Sequence, residues 1–114
     1  MAEDVVYIDF NEGVKRVMNN AKLYIKLLAK FKTDANFEEL SASLAAGDLE
    51  KAKGQAHTIK GIAANLSLTE LYKQVLELEN QIKAQAVDPN QVEIVKTVFE
   101  ATVQNVDRVM AENG

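Results

Sequence analysis

At 114 residues, with 47% hydrophobic and 26% charged side chains, the chain is long enough for one hydrophobic core and short for a multi-substrate enzyme with its own cleft. A formal net charge of −4 with scattered Lys and Arg argues against a nucleic-acid surface, which demands clustered cations. Cysteine is absent, which removes disulfide and thiolate chemistry; no apolar run approaches membrane-spanning length, and the acidic start Met1-Ala2-Glu3-Asp4 lacks the regions of a signal peptide. One cytoplasmic domain over residues 1–114 is the expectation.

Apolar residues recur at intervals of three and four, and only one proline and five glycines punctuate the chain, so the pattern is all-α. Asp9 with Glu12 three residues on reads as a capping box opening a first short helix, expected to end near Asn19-Asn20. A second helix follows from about Ala21 to Lys32, with Tyr24, Leu27, Leu28 and Phe31 on its apolar face. After Thr33-Asp34, Phe37, Leu40 and Leu44 mark a shorter helix that Gly47 can end, since glycine takes the left-handed position after a helix without Cβ strain. Asp48 is the next N-cap, and the helix it opens runs to about Leu66.

From about Leu68 to Ala84, Leu71, Val75, Leu78 and Ile82 keep a 4-3-4 rhythm, which predicts an antiparallel hairpin with the preceding helix. Ser67 with Glu70 forms another capping-box pattern. Asp88-Pro89 caps a last helix that turns Val92, Val95, Phe99, Thr102, Val106 and Val109 inward. The fold expected is an antiparallel four-helix bundle with two shorter accessory helices near the N-terminus. No third apolar stripe demands a dimer, so a monomer is expected.

The fourth helix carries the chemistry. Ala52, Ala56, Ile59, Ala63 and Leu66 form one apolar stripe, while His57, the only histidine, projects from the far side among Gly54, Gly61 and Ala64. Each glycine inside a helix costs about 0.8–1 kcal/mol relative to alanine, so a bare surface around the imidazole is bought against local stability. Such a surface suits a nucleophile presented to a protein partner. Lys60, one turn on, is within reach of an anion carried on the ring.

The run Ala56-His57-x-x-Lys60-Gly61, followed by small residues and Asn65-Leu66, resembles the signature of histidine-containing phosphotransfer (HPt) domains. Ile8-Asp9 with Gly13, Arg16, Tyr24, Leu28 and Phe31 is similar to that family's opening helices, as is Leu44 to Asp48 leading into the histidine helix. One position departs: Ser67 stands where these domains often carry glycine. The resemblance implies that His57 accepts a phosphoryl group from a histidine kinase or a receiver-domain aspartate and passes it to another receiver aspartate. Lys60 would stabilise the phosphate, and Gly54, Gly61, Ala64 and Asn65 would border the docking surface. The receiver would supply Mg²⁺, with no cofactor intrinsic to this chain and no kinase or hydrolase activity of its own.

Competing chemistry is thinly supported. One histidine cannot build a multi-histidine metal site, and Thr58 and Ser67 lack the partners of a hydrolase triad. Glu50 and the segment Glu77 to Glu79 read as solvated helix faces, Lys53 as a solvated lysine, and Asn65 as a residue bonded near the helix end. The alternative from another class is a phosphate-independent module docking through the same face. A phosphoacceptor segment of a larger sensor kinase is a further reading, with the start at Met1 favouring a freestanding protein.

Overall fold

The computed structural model describes residues 7–34 and 36–113, and among these every regular element is helical. The helices are α1 (Phe10–Arg16), α2 (Ala21–Lys32), α3 (Asn36–Ala45), α4 (Leu49–Asn65), α5 (Thr69–Lys83) and α6 (Pro89–Asn113). Side-chain caps start four of them: Asp9 accepts from the Glu12 N–H, Asn20 from Leu23, Asp48 from Lys51 and Asp88 from Asn90. α4 lies between α3 and α5, α5 packs on α6, α6 on α2, and α1 on α2. The core draws on all of the long helices. Ala52, Ala56, Ile59, Ala63 and Leu66 of the α4 stripe are buried against Leu71, Val75, Leu78 and Ile82 of α5, with Val95, Val98 and Val106 from α6 and Tyr24, Leu28 and Phe31 from α2. Phe99 is half-buried, stacked on Phe37 at 4.3 Å between ring centroids.

Helix ends were the less legible part of the sequence. α1 stops at Arg16, not near Asn19-Asn20, because Met18 and Asn19 both adopt left-handed backbone, with φ of 59° and 62°. The Asn19 N–H returns to the Val14 carbonyl and the Met18 N–H to that of Lys15, a closed C-terminal turn that satisfies the last carbonyls. The same two bonds end α3, α4 and α5, with Gly47, Ser67 and Gln85 at the left-handed position. Only one of the four ends carries the expected glycine. Ser67 is therefore not the cap of α5: its φ is 55°, it closes α4, and Leu68 precedes α5 with no side-chain cap bond.

α1 is fastened to that closing turn. The Asp9 N–H donates to the Ser67 carbonyl, the Ser67 hydroxyl donates to Glu12 Oε1, and the Tyr24 hydroxyl donates to the Leu66 carbonyl. Glu12 thus spends its carboxylate on Ser67 and Arg16 instead of reaching back to its own N-cap, so only half of the capping box forms. Burial pushes the Tyr24 phenol up to about 12, so it stays a donor. Gly13 is buried beneath this ring, and a Cβ there would overlap it. Because the ring is tethered at Leu66 it cannot swing aside; Gly13→Ala should lower stability by about 1–3 kcal/mol, as overpacking does. Urea unfolding monitored by circular dichroism would read this, and a variant as stable as the parent would show that the ring relaxes freely.

Candidate functional site

His57 sits midway along α4, its side chain 70% exposed, between glycines whose faces are open. A Cβ added at Gly54 or Gly61 would meet nothing within 4 Å, so core packing does not require glycine at either position. Ala64 continues this face and is half-buried, while Asn65 is exposed and borders a cleft of about 360 Å³ between α2 and α4, lined chiefly by Leu27, Phe31, Ile62 and Leu66. The surface around the imidazole is as bare as the residue pattern predicted.

Beneath the ring lies a group that the pattern had placed in solvent. Glu79 of α5 is 2% exposed, and its Oε2 lies 3.2 Å from His57 Nδ1. Lys60 Nζ stands 2.7 Å from Oε1, and Lys83 Nζ is 3.7 Å from Oε2. Burial alone would push the Glu79 carboxyl up, but Lys60, through hydrogen bonding and charge, together with His57 and Lys83, outweighs it and holds the group below the usual carboxylate range. Glu79 is therefore an ionised acceptor. In the neutral ring this contact favours the tautomer with its proton on Nδ1 and its lone pair on Nε2.

Lys60 also differs from expectation. Its side chain is only 19% exposed, and its bond to Glu79 raises its pKa against the opposing effect of burial. It is committed to a buried carboxylate beside the ring. Its removal should accordingly cost more stability than the loss of a free surface lysine. Lys53 is half-buried, and Glu77 is exposed and accepts from the Gln81 side chain one turn on. The sequence did hold a signal for Glu79. In an antiparallel hairpin residues equally distant from the turn face each other, and His57 and Glu79 are equally distant from Leu68.

The structure thus defines a helical bundle that presents one imidazole, oriented from below, on an open face. The Hpt domain family model matches residues 26–109, most of the chain and all of the histidine helix. The chain belongs to the Hpt domain family, and its function lies in histidine phosphotransfer within phosphorelay, two-component signalling. Hpt domains interact with receiver domains and histidine kinases. No curated protein and no solved structure matches the chain. Among the described residues no helix is long and apolar enough to cross a membrane, and no cluster of three or more His, Asp or Glu is placed to hold a metal ion.

The lowered Glu79 pKa carries a consequence for acid stability. A carboxyl whose folded pKa lies below its unfolded value stabilises the fold above the unfolded pKa and loses that contribution as pH falls through the folded one. Between pH 7 and the region below the ordinary value of 4.5, the urea midpoint of the parent should fall more steeply than that of Glu79→Gln. Parallel slopes would mean that Glu79 has no such linkage.

Proposed function

We propose that His57 is the phosphoacceptor and that the chain is a phosphorelay intermediate. In this reading it takes a phosphoryl group from a histidine kinase or a receiver aspartate and donates it to a receiver aspartate. The observation that carries the proposal is the Nδ1···Glu79 contact, which leaves Nε2 as the lone-pair nitrogen of an exposed ring with glycines on either side. Neutral imidazole with a defined tautomer is a competent nucleophile near pH 7 and needs no adjacent base. The receiver brings Mg²⁺ and the remaining catalytic groups, and this chain, with no cofactor, kinase or hydrolase activity of its own, brings the imidazole, a local positive field and access. Lys60 contributes to that field from its place on Glu79. Gly54, Gly61, Ala64 and Asn65 border the docking surface.

The same reading takes the chain as one cytoplasmic, monomeric domain over residues 1–114. Its proposed core is an antiparallel four-helix bundle of α2, α4, α5 and α6, with α1 and α3 as the shorter accessories. The three-residue connection between α4 and α5 supports the antiparallel pairing of those two.

His57→Gln should keep the helical circular dichroism signal and lose acid-labile, hydroxide-stable phosphate labelling. Retained labelling would exclude His57 as acceptor. Gly61 gives the test of access. With open space at its Cβ position, Gly61→Ala should stabilise the helix by about 0.5–1 kcal/mol. Gly61→Gln should fold, react with the small donor phosphoramidate as the parent does, and lose transfer from a phosphorylated cognate receiver. Equal impairment with both donors would point to damaged imidazole chemistry, and unimpaired transfer from the receiver would remove the steric argument and favour another docking face.

A further inference from the structure

The Glu79 contact bears on the phosphorylated state as well as on the free one, provided that His57 is the acceptor. When the Nε2 lone pair attacks an acyl phosphate, the N–P bond forms as the P–O bond breaks, and that electron pair leaves on the donor's carboxylate oxygen. No proton is needed or released at the reacting nitrogen. The ring that results is substituted at Nε2 and still holds its hydrogen at Nδ1, so it is an imidazolium. In water such a ring can discharge by giving up the Nδ1 proton. Here that proton points at Glu79 Oε2, 3.2 Å away, in a position 2% exposed.

We infer that Glu79 retains the proton on Nδ1 throughout the cycle, so that the phosphoryl group is carried on an imidazolium and the ring exchanges no proton with solvent. The groups around the carboxylate support this. From α4 it faces His57 and Lys60, with Tyr72 of α5 close enough to influence Lys60, and from its own helix it faces Lys83. α6 packs on the α5 helix through the neutral Gln91–Gln74 pair and apolar side chains, and brings no charged group among the carboxylate's ion pairs. Two ammonium groups, one carboxylate, an imidazolium and a phosphoryl dianion cancel in charge. Loss of the Nδ1 proton would leave the site with a net negative charge beside a buried carboxylate, which a low-dielectric position penalises. Glu79 is thus a positioning residue that keeps a proton in place and never takes it up.

The retained charge matters for onward transfer. An imidazolium leaves phosphorus as neutral imidazole, whereas a deprotonated ring would have to leave as imidazolate. In the return step the O–P bond to the receiver carboxylate forms, the N–P bond breaks, and the pair returns to Nε2. The starting tautomer is regenerated without a proton transfer.

The test uses the whole ¹⁵N-labelled chain phosphorylated with phosphoramidate, whose N–P bond breaks with the pair leaving on ammonia. The ring nitrogens and the phosphorus are followed by NMR between about pH 5 and about pH 9, either side of the ordinary imidazole range. Nδ1 of folded phosphorylated His57 should hold its proton to about one to three pH units above the same phosphorylated chain unfolded in urea, the displacement an opposite charge at this range produces. Glu79→Gln, where it folds, should lose most of that displacement, and its rate of phosphate loss to water should fall with rising pH across a range where the parent's stays flat. Titration of the folded parent together with its unfolded form would overturn the inference while leaving His57 the acceptor. A chain with no N–P signal at His57 would overturn the carrier reading itself, and this inference with it.

Discussion

A carboxylate buried between two helices costs several kcal/mol unless charges and donors meet it, and Glu79 is met from both helices at once. His57 and Lys60 come from α4, and Lys83 comes from α5. The need to satisfy one oxygen pair therefore sets the register of the hairpin and the attitude of the imidazole together. A stripe of small residues lies below. Ala52, Ala56 and Ala63 are buried on the core side of α4, where small side chains suit close packing of neighbouring helices. The site depends on the packing beneath it, and that packing does not require the glycines above.

The far end of the histidine helix is held by a second set of constraints. Its last turn closes on Ser67 in a left-handed conformation, which costs a non-glycine residue energy that must be offset elsewhere. The offset comes from α1 and α2: Asp9 and Glu12 bond the backbone and hydroxyl of Ser67, and Tyr24 bonds the Leu66 carbonyl across the small face of Gly13. The serine that departs from the family's usual glycine thus gains a hydroxyl that α1 uses. With α4 fixed at this end by α1 and α2, and at its middle by Glu79, the imidazole stands on a rigid element.

Membership of the Hpt domain family agrees with this arrangement of parts. A phosphoryl carrier needs a nucleophile that is chemically prepared yet sterically open, and the two requirements conflict. A group buried enough to be tuned is hard to reach. With His57 as the proposed acceptor, the tuning comes from below, through Nδ1, and the access is left above, at Nε2. The division works because imidazole has two nitrogens that can be addressed from opposite sides.

Periodicity and punctuation alone determined the all-helical class, the apolar stripes of α2, α4 and α5, the caps Asp9, Asp48 and Asp88 as helix starts, and the open face around His57. Those features follow from spacing along a single helix, so they are local and can be read residue by residue. The sequence also carried the motif by which the family is recognised. Tertiary structure alone decided the rest. Glu79 lies beside Leu78 and Ile82 on a helix whose polar residues are mostly solvated, and only the pairing of α5 with α4 turns it inward to His57. Lys60 changed from a free cation to a paired one for the same reason. Ser67 read as a helix start because its sequence neighbours suit a capping box, but the chain uses it to end α4, in a left-handed turn whose hydroxyl and carbonyl are bonded by residues of the distant α1 segment. Burial and charge at these positions belong to contacts between elements, which no single helix encodes.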